Sequence, residues 1–538
     1  MTSRQRENGR EVTVIAVVST AAAALAASAL LVRYSYWKRN RSSSATKKPF
    51  DELPMPPNPH WLQGHRVFMK GDFRQYFRTL FLDNVDENGR LGLWVFTEPC
   101  LLVSHWEDVR TILQHEYKRR RIPAMRKHVT MFLGSRNLGI LEGREWKHNR
   151  AAILRSFSRA KSEKAAATIV EVADTFVASL QKKIADNQSR NGGTCGMEVK
   201  VDELMKMLTF DIFGRVAFSQ DLECTKRLTP SPLARAFDFL GEELTRRSKS
   251  PFSPSNLYYW IPTANNRRHK RERTVLRTFL HEAISKRISS ENQPDDMLSA
   301  MLAALKDDAD PLMEETLQDN LLTLLFAGYD TTSITLSYAI ALVSQHPEVE
   351  KEMLLEIESA TSQSLSDLDE LTYCQAVVFE TLRLFPPGVA TNRFLDKPVQ
   401  LKGGFLVHAN TFVLIPIWLT QNMERHFPQP QAFRPDRWVR RTKGKEKSRW
   451  VDRSDDEEGE VLESGGIPAG NRRAFFAFSG GGRSCAGQNL ARQESTIALA
   501  KLTQSLRFRL KKGYELKPVR VGIVQYPQDG LPMVVQAR

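Results

Sequence analysis

A mainly helical fold with a minor sheet portion is what this sequence of 538 residues predicts. Three observations carry that reading. Apolar residues recur at helical spacing in the middle of the chain: within 160–187, Ile169, Val170, Ala173, Phe176, Val177 and Leu180 fall on one face. Long apolar stretches stop at prolines, as helices do. Strand-like material, such as 411–417 and 533–536, is short and scattered. With 41% hydrophobic and 26% charged residues the chain has apolar surface for a large core, which excludes a disordered or collagen-like chain. No long low-complexity linker interrupts it beyond about residue 60, so one large domain over 51–538 is expected.

Taken in order, the elements begin with an uncharged run at 12–32, about the ~20 residues that cross a hydrocarbon core. It is the single run of that kind, so a polytopic membrane protein is excluded. A cleaved signal peptide is the rival reading, but its apolar region would be too long. Arg33, Lys38, Arg39, Arg41, Lys47 and Lys48 follow the run, whereas Arg4, Arg6 and Arg10 before it are diluted by Glu7 and Glu11. That bias makes residues 1–50 a single-pass anchor with the bulk of the chain in the cytosol. Pro54, Pro56, Pro57 and Pro59 then favour a stiff, extended spacer.

Basic runs occur at 118–121, at Arg126 and Lys127, and at Arg267, Arg268, Lys270, Arg271 and Arg273. The formal net charge of +15 suits nucleic acid, anionic lipid or an acidic protein. No aromatic residues interleave these runs for base stacking, so nucleic acid is not expected. They read as solvated faces that, near an anchor, meet lipid. Helices are expected over 317–345, which Pro347 stops, over 348–360, and over 373–384, which ends at Pro386 and Pro387. The stretch 440–470 is highly charged and reads as an exposed inserted loop.

Chemistry enters with cysteine. The five, Cys100, Cys195, Cys224, Cys374 and Cys485, include no CxxC pair, which excludes a disulfide scaffold and a zinc knuckle. Any cysteine chemistry comes from one acting alone. Phe478 is followed by Gly480, Gly481, Gly482, Arg483, Cys485 and Gly487, and a helix is expected over 488–502. Glycines let the backbone approach something large and flat. A cysteine ahead of a helix N-terminus is favoured as thiolate, a soft ligand for iron. The local alternative is a glycine-rich turn holding a structural cysteine. In the long helix, Gly328 costs about 1 kcal/mol against Ala. Asp330, Thr331 and Thr332 follow it. Thr331 can bond back to a carbonyl one turn earlier and open a groove where a small molecule meets a hydroxyl and a carboxylate, an arrangement for proton delivery. A polar kink is the alternative. Glu380 and Arg383 share a helix face at i, i+3, Arg437 lies in a proline-bounded loop, and Trp146 and Arg150 form an i, i+4 donor pair.

In this combination and order, the chain resembles the cytochrome P450 family of haem-thiolate monooxygenases over about 54–538, of the membrane-anchored microsomal type. The resemblance implies that family's fold and a haem b whose iron takes Cys485 as axial ligand, a ligation in which thiolate donation favours O–O cleavage. It implies that Phe478, Gly481 and Gly487 shape the haem loop and that Trp146, Arg150, Arg393 and Arg483 hold the propionates. It gives Thr331 and Asp330 oxygen binding and proton relay, and makes Glu380, Arg383 and Arg437 a structural triad. One atom of O2 would enter a lipophilic substrate, with a fatty acid first and a sterol or terpenoid second. Apolar Phe326, Ala327, Val389, Ala390 and Ile523 would line the pocket. The chain carries no nicotinamide or flavin fingerprint, so NADPH would act through a separate cytochrome P450 reductase or similar donor. That donor would dock on the basic face around Lys147, Arg155, Arg159, Arg472 and Arg473. The membrane implied is the endoplasmic reticulum. Alternatives are a peroxide-using or isomerising member of the same fold, a non-catalytic haem-binding sensor, and a membrane-tethered basic adaptor without haem.

Overall fold

The computed structural model describes residues 53–56, 74, 78, 81, 84–95, 98–114, 123–157, 159–190, 196–249, 261–291, 293–305, 313–360, 370–440, 449–450, 472–521 and 524–538. The expected span at 12–32 and the basic run at 118–121 lie outside them. Among the described residues no helix is long and apolar enough to cross a membrane.

The chain enters an antiparallel pair, β1 (Arg90–Val95) and β2 (Glu98–Val103). Helices follow: α1 (Trp106–Gln114), α2 (Pro123–Leu133), α3 (Gly143–Arg155) and the long α4 (Arg159–Arg190). Short β3 (Met197–Lys200) leads into α5 (Val201–Phe218), which closes on Ser219 in the left-handed region at φ 53°. Next come α6 (Pro232–Lys249) and α7 (Ala264–Ser289), whose N-cap Thr263 accepts a hydrogen bond from the Asn266 N–H. Then come α8 (Met297–Leu305), the central α9 (Met313–Gln345), α10 (Pro347–Ser359) and α11 (Thr372–Leu384). α9 opens with Glu314 and Glu315, whose charges suit the positive end of a helix. Pro347 occupies the first turn of α10, where its missing N–H costs nothing. Strands β4 (Thr391–Leu395) and β5 (Thr411–Ile415), then α12 (Gln488–Ser505), precede four C-terminal strands. These are β6 (Leu506–Leu510), β7 (Pro518–Val521), β8 (Val524–Pro527) and β9 (Pro532–Ala537).

The sheets are small. One runs β1-β2-β5-β4, with β2 and β5 parallel and its other pairs antiparallel. Another runs β6-β9-β3, and β7 and β8 form a hairpin. The fold is thus mainly helical with a minor sheet portion. The core is helix on helix: α9 packs on α5, α11 and α12, and α12 packs on α4. Most of α9 is buried, Leu317, Leu321, Ile334, Leu336 and Ala339 entirely.

Several expected boundaries move. The helix expected at 317–345 begins a turn earlier, at Met313. The strand expected at 411–417 stops at Ile415, and Ile417–Gln421 is a short helix: Pro416 has no N–H to continue a ladder, and its carbonyl accepts from Thr420 N at 2.9 Å. The charged stretch at 440–470 is not irregular from its start. Val439 and Arg440 pair antiparallel with Trp450 and Arg449. The rest of that stretch lies outside the described residues.

Candidate haem-thiolate site

The Cys485 loop leaves the core at Phe476 and enters α12 at Gln488. Cys485 N donates to Phe478 O at 2.9 Å and Ser484 N to Gly481 O at 3.0 Å, so the turn closes on itself. Gly481 is required by this turn: its φ is +66° and a Cβ would lie 1.6 Å from the Leu113 carbonyl oxygen of α1. Gly487 is different, for a Cβ there would touch Phe157 only at 3.8 Å. The glycine run therefore lets the loop lie against α1, a reason the sequence alone did not reveal.

Cys485 is exposed on an open side of the loop. Cys100, Cys224 and Cys374 are buried. Burial pushes the Cys485 thiol above its ordinary range, and the Gly487 N–H and the Arg150 charge offset this only in part. The Gly487 N–H and the Arg150 charge are the groups that favour thiolate here, as the sequence pattern of donors beside a helix end predicts.

Two cationic groups reach this loop from other elements, and the loop carries a third. From α3, Arg150 Nη2 donates to Ser484 Oγ at 3.3 Å. From β4, buried Arg393 Nη2 donates to Gly480 O at 3.3 Å and to Ser479 Oγ at 3.4 Å. From the loop itself, Arg483 Nη1 donates to Leu141 O at 3.1 Å, and its guanidinium stacks 3.8 Å from the Trp146 ring centroid. α3 is fixed in turn to α9, since Asn320 Nδ2 donates to Asn149 Oδ1 at 2.7 Å. A soft sulfur on an open side, with three guanidinium groups and an indole around it, fits an iron macrocycle with two edge carboxylates.

On α9 the local pattern opens one side of a buried helix. Ala327 is exposed, Phe326 and Thr331 are partly so, and Thr331 Oγ1 donates back to Ala327 O. Gly328 faces elsewhere, where a Cβ would press on Phe213 of α5 at 3.2 Å. Asp330 does not share the Thr331 groove, contrary to the expectation of a hydroxyl and a carboxylate side by side. One residue is a 100° step around the helix, and Asp330 is buried against α5 and β8, where Tyr526 Oη donates to its Oδ2. Burial raises Asp330 to about 6, against the pull of Lys206 and the Tyr526 hydrogen bond.

Beneath the loop, Glu380, Arg383 and Arg437 are fully buried. Arg383 Nε and Nη2 donate to Glu380 Oε2 and Oε1, both at 2.8 Å, and Arg437 Nε to Oε1 at 3.2 Å. Trp438 Nε1 adds a bond to Oε2 at 3.0 Å. Arg383 also holds the carbonyls of Gln421, Pro430 and Ala432. Burial works against the Glu380 carboxylate, but Arg383 and Arg437 outweigh it and hold its pKa below the ordinary value.

Two expectations fail here. Val389 does not line an open pocket; it is buried in a cluster with Phe81, Leu93 and Trp418. Arg472 is not on a docking face, because it is buried with Nε donating to Arg437 O at 2.7 Å. Lys147 and Arg155 are exposed on α3, and Arg473 is partly exposed. Ala390 is partly buried, and Ile523 and the Arg159 side chain lie outside the described residues. Sequence reasoning missed Tyr526, Lys206, Ser484 and Leu113, which adjoin these groups only through the fold. A groove of about 880 Å³ between Leu222, Leu233, Val275 and Phe279 has a charged rim and includes none of these residues.

A sequence model described as Cytochrome P450 matches residues 54–530. Cytochrome P450 4V2 of Homo sapiens is 23% identical, over 96% of this chain and 96% of its own. Cytokinin hydroxylase of Arabidopsis thaliana is 24% identical, over 83% and 80%. Pentalenene oxygenase of Streptomyces avermitilis is 29% identical, over 55% and 60%. Spanning most of the chain, the family match makes this protein a member of the cytochrome P450 family, oxidoreductases that incorporate oxygen from O2.

Proposed function

We propose that this monooxygenase acts on a lipophilic substrate, with a fatty acid or similar lipid as first choice and a sterol or terpenoid as second. The observation that carries the site assignment is the one exposed cysteine among the described residues, Cys485, in a loop that receives the guanidinium groups of Arg150 and Arg393 and itself carries Arg483. Bound haem b supplies activation of O2 for transfer of one atom, the other leaving as water. Cys485 would hold the haem iron through its thiolate. Trp146, Arg150, Arg393 and Arg483 bind the two propionates, while Phe478, Gly481 and Gly487 shape the loop. The triad Glu380, Arg383 and Arg437 braces the core beneath it.

Thr331 orients a proton by its hydroxyl on the open side of α9, and Asp330 passes protons from solvent toward that side. Phe326 and Ala327 offer the substrate an apolar wall, which favours a lipid over a polar substrate. The terpenoid alternative draws support from relatives named pentalenene oxygenase and cyclooctat-9-en-7-ol 5-monooxygenase. Electrons come from NADPH through a separate cytochrome P450 reductase that meets Lys147, Arg155 and Arg473. Residues 1–50 anchor the catalytic domain, 51–538, on the cytosolic side of the endoplasmic reticulum. The test screens fatty acids, sterols and terpenoids for a haem spectral shift, then asks for product with NADPH and reductase. A shift and a hydroxylated product with a fatty acid support the first choice. Product formed only with peroxide would replace this reading with the peroxide-using alternative.

A further inference from the structure

Asp330 sits in a polar cluster assembled from four elements. From α5 come Lys206 and Asp202, and from α6 comes Asp238; Lys206 Nζ lies 3.7 Å from an oxygen of each carboxylate. From α9, Tyr329 Oη donates to Asp238 Oδ1 at 2.8 Å. From β8, Tyr526 donates to Asp330, and its ring centroid lies 5.3 Å from Lys206 Nζ. Glu203 and Glu242 add negative charge at longer range. The cluster is graded toward solvent: the Asp238 side chain is 32% exposed, Lys206 22% and Asp202 11%, while Asp330 is 4% exposed as a residue. Asp202 Oδ1 is buried with no hydrogen-bond partner, a position that suits a water. Asp330 thus lies at the buried end of a polar cluster whose Asp238 reaches solvent.

We propose that Tyr526, which donates to the Asp330 carboxyl, and Lys206, which lies over the Tyr526 ring between Asp202 and Asp238, are positioning residues for proton delivery from the solvent-reached Asp238 to Asp330. This rests on the reading of Asp330 as the relay. One proton enters at Asp238, crosses the cluster by way of water, and loads Asp330; nothing is oxidised or reduced in that transfer. Lys206 keeps its proton, since the surrounding carboxylates raise its pKa above the ordinary value despite its burial. Its charge and the Tyr526 hydroxyl both favour ionised Asp330, so removing either makes Asp330 harder to ionise.

The test uses the haem-loaded full chain with reductase. It records product formed per NADPH against pH, and separately titrates the Asp330 carboxyl C=O band by infrared difference against Asp330→Asn. Tyr526→Phe and Lys206→Gln should move the infrared midpoint upward, with the alkaline fall in coupling moving the same way. Lys206→Arg should return both toward wild type. A merely structural role would lower haem content or melting temperature without moving either midpoint. An unmoved infrared midpoint in haem-loaded Tyr526→Phe overturns the proposal, and that variant decides alone if Lys206→Gln does not fold. Full coupling in Asp330→Asn would instead remove the relay reading itself.

Discussion

Asp330 and Thr331 are neighbours in the chain with different surroundings, and a substitution at each has its own signature. Thr331→Ala removes a hydroxyl on the open side of α9 and keeps the helix, so haem loading and substrate binding should persist. Loss of a proton-positioning group costs about 10²–10⁴-fold in a step that depends on it, less where water substitutes. NADPH consumption should continue with less product and more hydrogen peroxide, measured in one coupled assay. Asp330→Asn carries a stability signature as well. Burial raises the folded-state pKa of Asp330 to about 6, above an unfolded value of about 3.9. Its stabilising contribution is therefore full below about pH 4 and is lost as pH rises through about 6, on the order of 3 kcal/mol. The melting temperature of Asp330→Asn relative to wild type should climb over that window and stay level above it. Equal differences at pH 5 and pH 7 would contradict the buried carboxylate.

Among the elements, α11 and the loop that carries Arg437 are joined by charge rather than by apolar packing alone. Glu380 receives two bonds from Arg383 and one from Arg437, and all three side chains are fully buried. Removing one member strands the others, at roughly 3–5 kcal/mol. Glu380→Ala and Arg383→Ala should lower soluble yield and prevent haem incorporation, read as the ratio of haem absorbance to protein. A fully haem-loaded Glu380→Ala protein would contradict this brace. The i, i+3 spacing of Glu380 and Arg383 was visible in the sequence, but spacing is the same on a solvated helix and a buried one. Burial made the difference, and burial is a property of the packed molecule. Thr331 was more legible, because back-bonding to Ala327 is a local event within four residues. The partner of Asp330 was not, since Tyr526 lies 196 positions away on a hairpin.

Across the whole molecule, the helical core was legible from apolar periodicity, because α4, α9 and α11 bury continuous stripes or whole surfaces. The sheets were less so: β2 pairs in parallel with β5, over 300 positions later, and nothing local fixes that partner. The role of Gly481 was hidden for the same reason, since α1 comes from the opposite end of the chain. Charge on the surface was legible only in sum. Lys147 and Arg155 remain exposed, but Arg472 turns inward to the Arg437 carbonyl. Charge reversal at Lys147 and Arg155 should slow reductase-driven haem reduction and weaken its dependence on ionic strength, while dithionite reduction is unchanged. Arg472→Glu should instead reduce folding yield.

The central claim is that Cys485 binds haem iron as thiolate. The most direct measurement is the carbon monoxide difference spectrum of the reduced protein, wild type against Cys485→Ser, with Cys100→Ala, Cys224→Ala and Cys374→Ala alongside. A serine hydroxyl is a harder ligand and is deprotonated less readily. A haem-thiolate band is expected in wild type and in each of the three other cysteine variants, and should be lost in Cys485→Ser together with all turnover. A normal band retained by Cys485→Ser would contradict it.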